Sequence, residues 1–314
     1  MPLSLVGSEM CIRDSFDVTL NDGDKPLSRD ALIDGFASHD IAAPTVSDKI
    51  DAEIVAAGAA GKCRLISNYG VGVNHIDLAA AAAHDIPVTN TPGVLTDATA
   101  DITMTLMLML CRRAGEGERE LRAGEWTGWR PTHLVGRALS GRTLGIIGMG
   151  RIGRAVAHRA HFGFGMDVVF QNRSPIADGA GFGARQLTDV AAVCAASDFV
   201  SLHCAATTET ANIMNADAIA AMRPGGYLIN TARGDVVDET ALAKALHDGV
   251  IGGAGLDVFQ GEPQINQALL SAPNTVLLPH LGSATEETRV AMGMKVVENA
   301  RAFAAGFALP DKAG

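Results

Sequence analysis

The residues best placed to do chemistry begin with Gly148-Met149-Gly150-Arg151-Ile152-Gly153, a G-x-G-x-x-G turn. The apolar run Leu144 to Ile147 enters it, and a helix-compatible stretch, Arg154 to Phe162, leaves it. In that setting the first glycine permits a tight turn and the second lets the backbone approach a pyrophosphate. The third lets helix and strand pack closely, while the helix's N–H groups and dipole meet the anion. Three motifs follow: "LINTARGDVVDE" with Arg233, "GGAGLDVFQGEP" with Asp257 and Glu262, and "TVLLPHLGSAT" with His280. Each puts a polar side chain at the end of a predicted strand. Ligands of open α/β sheets bind outside the carboxyl ends of the strands, so these residues can converge on one crevice. Taken singly they read as a loop cation, a surface acid and a satisfied hydrogen-bonding group; their joint arrival favours a site.

The nucleotide is read from the second strand, Val168-Val169-Phe170, which ends in Gln171-Asn172-Arg173-Ser174. About 20 residues past the last glycine an NAD enzyme usually places an acid for the ribose hydroxyls. An acid there would repel a 2′-phosphate, whereas the Arg173 guanidinium forms charge-assisted hydrogen bonds to it and Ser174 adds another. NADP(H) is therefore the preferred cofactor, with NAD(H) also accommodated. The plain alternative is that Arg173 is a solvated loop arginine.

The elements that must position these groups alternate between strand and helix. Short apolar segments at 17–20, 41–46, 64–67 and 86–89, separated by helical stretches such as 30–37 and 76–83, predict a small parallel sheet. A helix from Thr96 to Arg113 and a long irregular link with Trp126, Trp129 and Pro131 come next. Strands then fall near 144–148, 168–171, 199–203, 226–230, 253–257 and 275–278. That alternation predicts an α/β chain of two domains, a doubly wound parallel-sheet (Rossmann) cofactor domain and a smaller α/β substrate domain. The expected boundaries are 1–95 for the substrate domain, with a C-terminal helical segment 285–314 returning to it, and 96–284 for the dinucleotide-binding domain. Ser283 and Glu286 have capping-box spacing for the last helix, which runs toward Phe303.

Composition fits a cytoplasmic enzyme. The chain has 314 residues, 47% of them hydrophobic and only 4% aromatic, and a net charge of -10. With no long basic run, nucleic acid is not an expected partner. The five cysteines lack C-x-x-C spacing and read as reduced thiols, with no metal site. The longest apolar run, Ile102 to Leu110, is too short to cross a bilayer, and the first residues carry no basic n-region of a signal peptide. The helix 96–113 is apolar nearly all round, which predicts a homodimer built on it and the following link.

From about Phe16 onward the chain resembles the D-2-hydroxyacid dehydrogenase family, most closely its glyoxylate/hydroxypyruvate reductase branch. The resemblance rests on "NYGVGVNHIDL" from Asn68, "NTPGVLTDATADITMTLMLMLCRR" from Asn90, "GRTLGIIGMGRIG" from Gly141 and the three motifs above. It implies a flavodoxin-like substrate domain and reversible hydride transfer between a nicotinamide and C2 of a 2-oxo or (R)-2-hydroxy acid. Arg233 would grip the substrate carboxylate and polarise its carbonyl, His280 would be the acid and base, and Glu262 would fix the imidazole tautomer. Asp257 would meet the nicotinamide carboxamide and Thr99 would lie beside the nicotinamide end. Backbone N–H groups of Val71 and Gly72 would cradle the substrate carboxylate. Asn68 also fits an ordinary turn residue, and His75 reads as structural. Trp126 or Trp129 would close the substrate mouth or pack a dimer interface. Residues 1–15 do not resemble the family's opening strand; Leu3 to Val6 is the stretch that could substitute for it. Rival readings are a phosphoglycerate dehydrogenase and a non-catalytic nucleotide-sensing corepressor.

Overall fold

A computed structural model describes residues 16–21, 23, 25–176 and 180–313. The chain divides into two compact units, one formed by the residues up to Leu95 together with Ser283–Gly314, the other by Thr96–Gly282.

In the first unit α1 (Arg29–Ser38), β1 (Ile41–Ala42), α2 (Ala52–Ala60), β2 (Leu65–Ser67), α3 (Leu78–Ala83) and β3 (Val88–Thr89) alternate. The strands pair in parallel in the order β1-β2-β3. Each helix starts where a side chain can take a free N–H: Ser28, Asp51 and Asp77 cap α1, α2 and α3. Leu32, Phe36, Ile54, Val55, Ile66 and Val88 form the core. Residues 17–20, expected as a strand, are not one: Asp17 and Thr19 alternate with half-buried apolar residues, but no partner strand is paired to them among the described residues. The strand expected over 41–46 shortens to its first residues because Pro44 cannot donate, and only an isolated bridge, Thr45 to Tyr69, follows. The candidate strand Leu3 to Val6 lies outside the described residues.

The second unit opens with α4 (Thr96–Cys111) and α5 (Ala114–Arg122). Its sheet contains β4 (Thr143–Ile147), β5 (Asp167–Gln171), β6 (Arg185–Gln186), β7 (Phe199–Leu202), β8 (Tyr227–Asn230), β9 (Gly253–Leu256) and β10 (Thr275–Leu277). The strands run parallel in the order β10-β9-β8-β7-β4-β5-β6, so the direction of winding reverses beside β4. The connecting helices are α6 (Arg151–His158), α7 (Val190–Ala196), α8 (Ala216–Ala220), α9 (Glu239–His247) and α10 (Gln267–Leu270). Successive strand residues serve opposite faces: Val200, Leu202 and Leu228 pack with α7, α8 and α9, while Ile146, Phe199 and Ile229 pack with Leu106, Met107 and Val156.

Two helices depart from expectation. The segment after α4, expected to be irregular, instead forms α5, which buries no residue and is laced by ion pairs from Arg113 to Glu116 and from Arg122 to Glu118. The last helix, α11 (Glu286–Ala304), is capped by Thr285, which accepts from the Thr288 N–H, and not by Ser283. It ends at Ala304, next to the expected Phe303, so the rest of the 285–314 segment is not helical; the chain then returns beside β3, where the Ala313 N–H donates to the Val88 carbonyl at 2.8 Å. The Tyr69 hydroxyl and the Ser67 hydroxyl donate to carbonyls of Arg289 and Val296, seating α11 on the small sheet. Among the described residues no helix is long and apolar enough to cross a membrane.

Candidate active site

The glycine turn sits where the sheet reverses. Gly148 has a φ of 95°, and a Cβ there would stand 2.6 Å from the Cys204 nitrogen, so neither the turn nor the approach of the β7 end tolerates a side chain. A Cβ on Gly153 would stand 2.3 Å from the Gly148 carbonyl oxygen, which is the close strand-to-helix packing expected of the third glycine. Gly150 differs: a Cβ there would meet nothing within 4 Å, and Gly150 caps α6 without a side-chain hydrogen bond. By contrast, α7, α8, α9 and α10 are capped by Asp189, Asn215, Asp238 and Asn266. The first turn of α6, Arg151, Ile152 and Gly153, thus has N–H groups that no side-chain cap takes, next to a residue with open space about it, an arrangement suited to an anion.

At the end of β5 the loop 172–174 is a compact turn. The Asn172 side chain donates to the Ser174 carbonyl at 2.9 Å, and Gln186 of β6 donates to the Asn172 carbonyl at 3.1 Å. Arg173 and Ser174 are exposed on it. Glu209, drawn below its usual range by hydrogen bonds, chiefly from Thr207, also feels the charge of Arg173.

Arg233, Asp257, Glu262 and His280 do converge. The His280 Nδ1 donates to Glu262 Oε2 at 2.8 Å, and Glu262 Oε1 accepts from the Phe259 N–H at 2.8 Å. Because Nδ1 is committed to the carboxylate, Nε2 is the ring nitrogen left available for proton exchange. Burial works to raise the Glu262 carboxyl, but the His280 hydrogen bond, the His280 charge and that of Arg233 leave it below the usual range. Arg233 is half-buried; desolvation lowers its very high pKa, opposed by the charges of Glu262 and Asp235. Asn230 holds the Arg233 backbone: its amide donates to the Arg233 carbonyl at 2.8 Å and its Oδ1 accepts from the Ala232 N–H at 3.0 Å.

Asp257 and Thr99 occupy more specific places than the sequence indicated. Asp257 is 1% exposed, and its two oxygens accept from the Leu281 and Gly282 N–H groups, both at 2.7 Å. The Thr99 hydroxyl donates to the Gly282 carbonyl at 3.0 Å. Together they clamp the loop that carries His280, whose φ of 55° is a left-handed conformation unusual for a side chain of this size. Burial raises the Asp257 carboxyl, partly offset by those backbone N–H groups.

In the smaller unit, the turn Gly70–Gly72 is built by neutral groups. Asn68 donates to the carbonyls of Gly70 and Gly72 at 2.9 and 3.0 Å, and Asn90 donates to that of Val71 at 2.8 Å. Asn68 Oδ1 contacts His75 Nε2 at 3.0 Å, which makes Asn68 more than a turn residue and gives His75 the structural place expected of it. A trans peptide sets its N–H opposite its carbonyl. With the Gly70 and Val71 carbonyls drawn inward, the N–H groups of Val71 and Gly72 face the other way, suited to an anion.

Sequence reasoning missed Gln186, Asn230, Thr103, which contacts Thr231 at 2.9 Å, and Glu239. Trp126 and Trp129 are exposed.

An open parallel sheet with a glycine turn at its reversal point is the architecture of nicotinamide-dependent dehydrogenases. Residues 104–282 match the NAD binding domain of the D-isomer specific 2-hydroxyacid dehydrogenases. The chain is 42% identical over 295 residues to glyoxylate reductase of Thermococcus litoralis, covering 93% of this chain and 88% of that one. It is 40% identical over 279 residues to glycerate dehydrogenase of Hyphomicrobium methylovorum, covering 88% and 86%. Among solved structures, the NADPH-dependent glyoxylate/hydroxypyruvate reductase of Sinorhizobium meliloti, in complex with NADP and malonate, superposes with a TM-score of 0.81. It is 38% identical, over 87% of this chain and 83% of that one. The chain belongs to the D-isomer specific 2-hydroxyacid dehydrogenase family and is an NAD(P)-dependent oxidoreductase.

Proposed function

We propose that this enzyme reduces glyoxylate and hydroxypyruvate to the corresponding 2-hydroxy acids, taking hydride from NADPH. The observation that carries the reading is the 2.8 Å His280–Glu262 pair within the field of Arg233. A 2-oxo acid offers a carboxylate and an adjacent carbonyl, and these groups answer both. Arg233, planar and forked, grips the carboxylate and polarises the carbonyl. His280 Nε2 delivers a proton to the oxygen as negative charge develops on it, and Glu262 stabilises the imidazolium before transfer. In the smaller unit the Val71 and Gly72 N–H groups are of the kind that binds a carboxylate. The nicotinamide supplies the hydride when bound. Gly148 to Gly153 and the α6 N-terminus hold its pyrophosphate, Thr99 and Asp257 lie toward its nicotinamide end, and Asn172, Arg173 and Ser174 read the 2′-phosphate. On this reading Thr96–Gly282 is the dinucleotide-binding domain and the other unit the substrate domain. Glyoxylate is the substrate named for the first relative, and reduction of hydroxypyruvate yields glycerate, the compound named for the second.

Steady-state assays of glyoxylate, hydroxypyruvate and pyruvate with each cofactor test this. Wild type should show a higher kcat/KM with NADPH, and Arg173→Asp should reverse the preference by removing one charge-assisted contact and adding repulsion. Equal use of both cofactors would refute the NADPH assignment, and no turnover of any 2-oxo acid would refute the reductase reading. A homodimer is part of the proposal. Much of the apolar surface of α4 is buried within its own unit; Leu108 on α4 and Leu121, Trp126, Trp129 and Val135 on the segment after it are the exposed large apolar residues of this stretch. Light scattering should give twice the chain mass, and a monomer would refute it.

A further inference from the structure

The functional reading leaves one buried ionisable group near the site unused. Glu239 is 4% exposed, at the first position of α9 directly after the capping Asp238. A glutamate there serves the helix dipole from solvent at no desolvation cost. Here the side chain turns inward instead, and Oε1 accepts from the Gln260 N–H at 2.6 Å. Burial raises its carboxyl, and the charges of Asp235 and Glu262 add to the effect. A buried acid that costs stability needs a compensating role.

Its partner shows what that role is. Gln260 lies two residues before Glu262, and the N–H of the preceding Phe259 is taken by Glu262 itself. The consecutive amides of this turn are thus fixed by two carboxylates. The Gln260 side chain ties the same turn to the Val237 carbonyl at 2.8 Å and to Asn212 Oδ1 at 3.1 Å. Below it, a Cβ on Gly234 would stand 2.0 Å from the Phe259 carbonyl carbon, so the backbones that carry Arg233 and Glu262 lie directly against each other. The turn ends at the Glu262 oxygen that meets His280 at 2.8 Å. The charged groups around this arrangement are Arg233, Asp235, Asp257, Glu262 and His280.

We propose that Glu239 is a positioning residue: through the Gln260 N–H it fixes the turn that carries Glu262, and thereby sets where the Glu262 carboxylate stands for His280. The effect on turnover rests on the reductase reading above; the effect on the His280–Glu262 hydrogen bond does not.

The test uses Glu239→Ala, which removes the acceptor, and Glu239→Gln, which keeps an oxygen in place. With NADPH and glyoxylate, Glu239→Ala should lose kcat by about tenfold, the worth of one charge-assisted hydrogen bond, while Glu239→Gln recovers to within about threefold. NADPH affinity, read by fluorescence titration, should be unchanged in both, because Glu239 is on neither the glycine turn nor the 172–174 loop. Independently of activity, the downfield Nδ1–H resonance of His280 in ¹⁵N-histidine-labelled enzyme, assigned with His280→Asn, should persist in Glu239→Gln and vanish or move upfield in Glu239→Ala. If Glu239→Ala does not fold, Glu239→Asp, which withdraws the acceptor by one methylene, should show the same resonance shift. An unmoved resonance in the acceptor-deficient variant would overturn the proposal, as would a Gln variant that matches Ala in kcat. Failure of wild type to reduce glyoxylate would remove the functional reading, and the resonance would still decide the positioning role.

Discussion

The two sheets of this molecule end in opposite chemistry. At the carboxyl ends of the seven-stranded sheet stand Arg233, Asp257, Glu262 and His280, ionisable groups that act on one another; Asp257 is buried, Arg233 and His280 are half-buried and Glu262 is exposed. After β2 of the three-stranded sheet, the Gly70–Gly72 turn is shaped by Asn68 and Asn90, neutral amides that pull carbonyls inward. Moving protons and gripping carboxylates requires groups whose charge changes or persists out of water. Presenting backbone N–H groups requires only that the peptide planes be held. On the proposed reading the smaller unit contributes orientation and the larger one chemistry, so substitutions in the two should differ in kind.

The larger effects belong to the charged end, where only His280 is expected to exceed Arg233. Arg233→Ala should lower kcat/KM by about 10²–10³-fold, affecting both kcat and KM, since the carboxylate clamp acts in the ground state and the transition state alike. Arg233→Lys should recover only part of it, lacking the planar fork. Steady-state kinetics decide, and a change confined to KM would put Arg233 among the orienting groups. In the neutral turn, Asn68→Ala should raise KM about tenfold and leave kcat within about threefold, through lost hydrogen bonds to Gly70, Gly72 and His75. An equal loss in kcat would erase the distinction between the units.

The smallest effect concerns stability. His203, at the end of β7, contacts Ser201 Oγ at 2.9 Å and has its Nδ1 buried without a partner among the described residues. Burial pushes its pKa from 6.5 down to about 3. The unfolded chain therefore binds a proton that the folded one refuses, and stability is lost as pH falls from about 6.5 toward 3, by at most about 1.4 kcal/mol per pH unit. Urea titrations should show a shallower loss in His203→Asn than in wild type over that window; parallel curves would contradict the assignment.

The large sheet was legible because its strands are apolar runs bounded by turn residues, and the glycine turn because its spacing follows from backbone contacts. Elements held by weak or distant terms were not. The α5 sequence AGEGERELR contains two glycines and no apolar face to mark it as a helix, although its Ala, Glu, Arg and Leu residues favour one and two ion pairs add to it. The cap of α11 was displaced because Ser283 and Thr285 are both capping residues two positions apart. Strand-end residues could be listed from sequence, but not that both Asp257 oxygens serve the 281–282 backbone, a contact 24 and 25 residues distant. Glu239 reads as a surface acid at a helix start, and only its inward rotamer shows otherwise.

The central claim is that His280, held by Glu262, delivers the proton while the nucleotide is bound elsewhere. It is tested most directly by His280→Ala, measuring single-turnover oxidation of NADPH by glyoxylate alongside NADPH affinity by fluorescence titration in the same preparation. The account predicts a rate lower by about 10²–10⁴-fold with affinity changed less than about twofold. A rate close to wild type, or a loss that follows cofactor affinity, would contradict it.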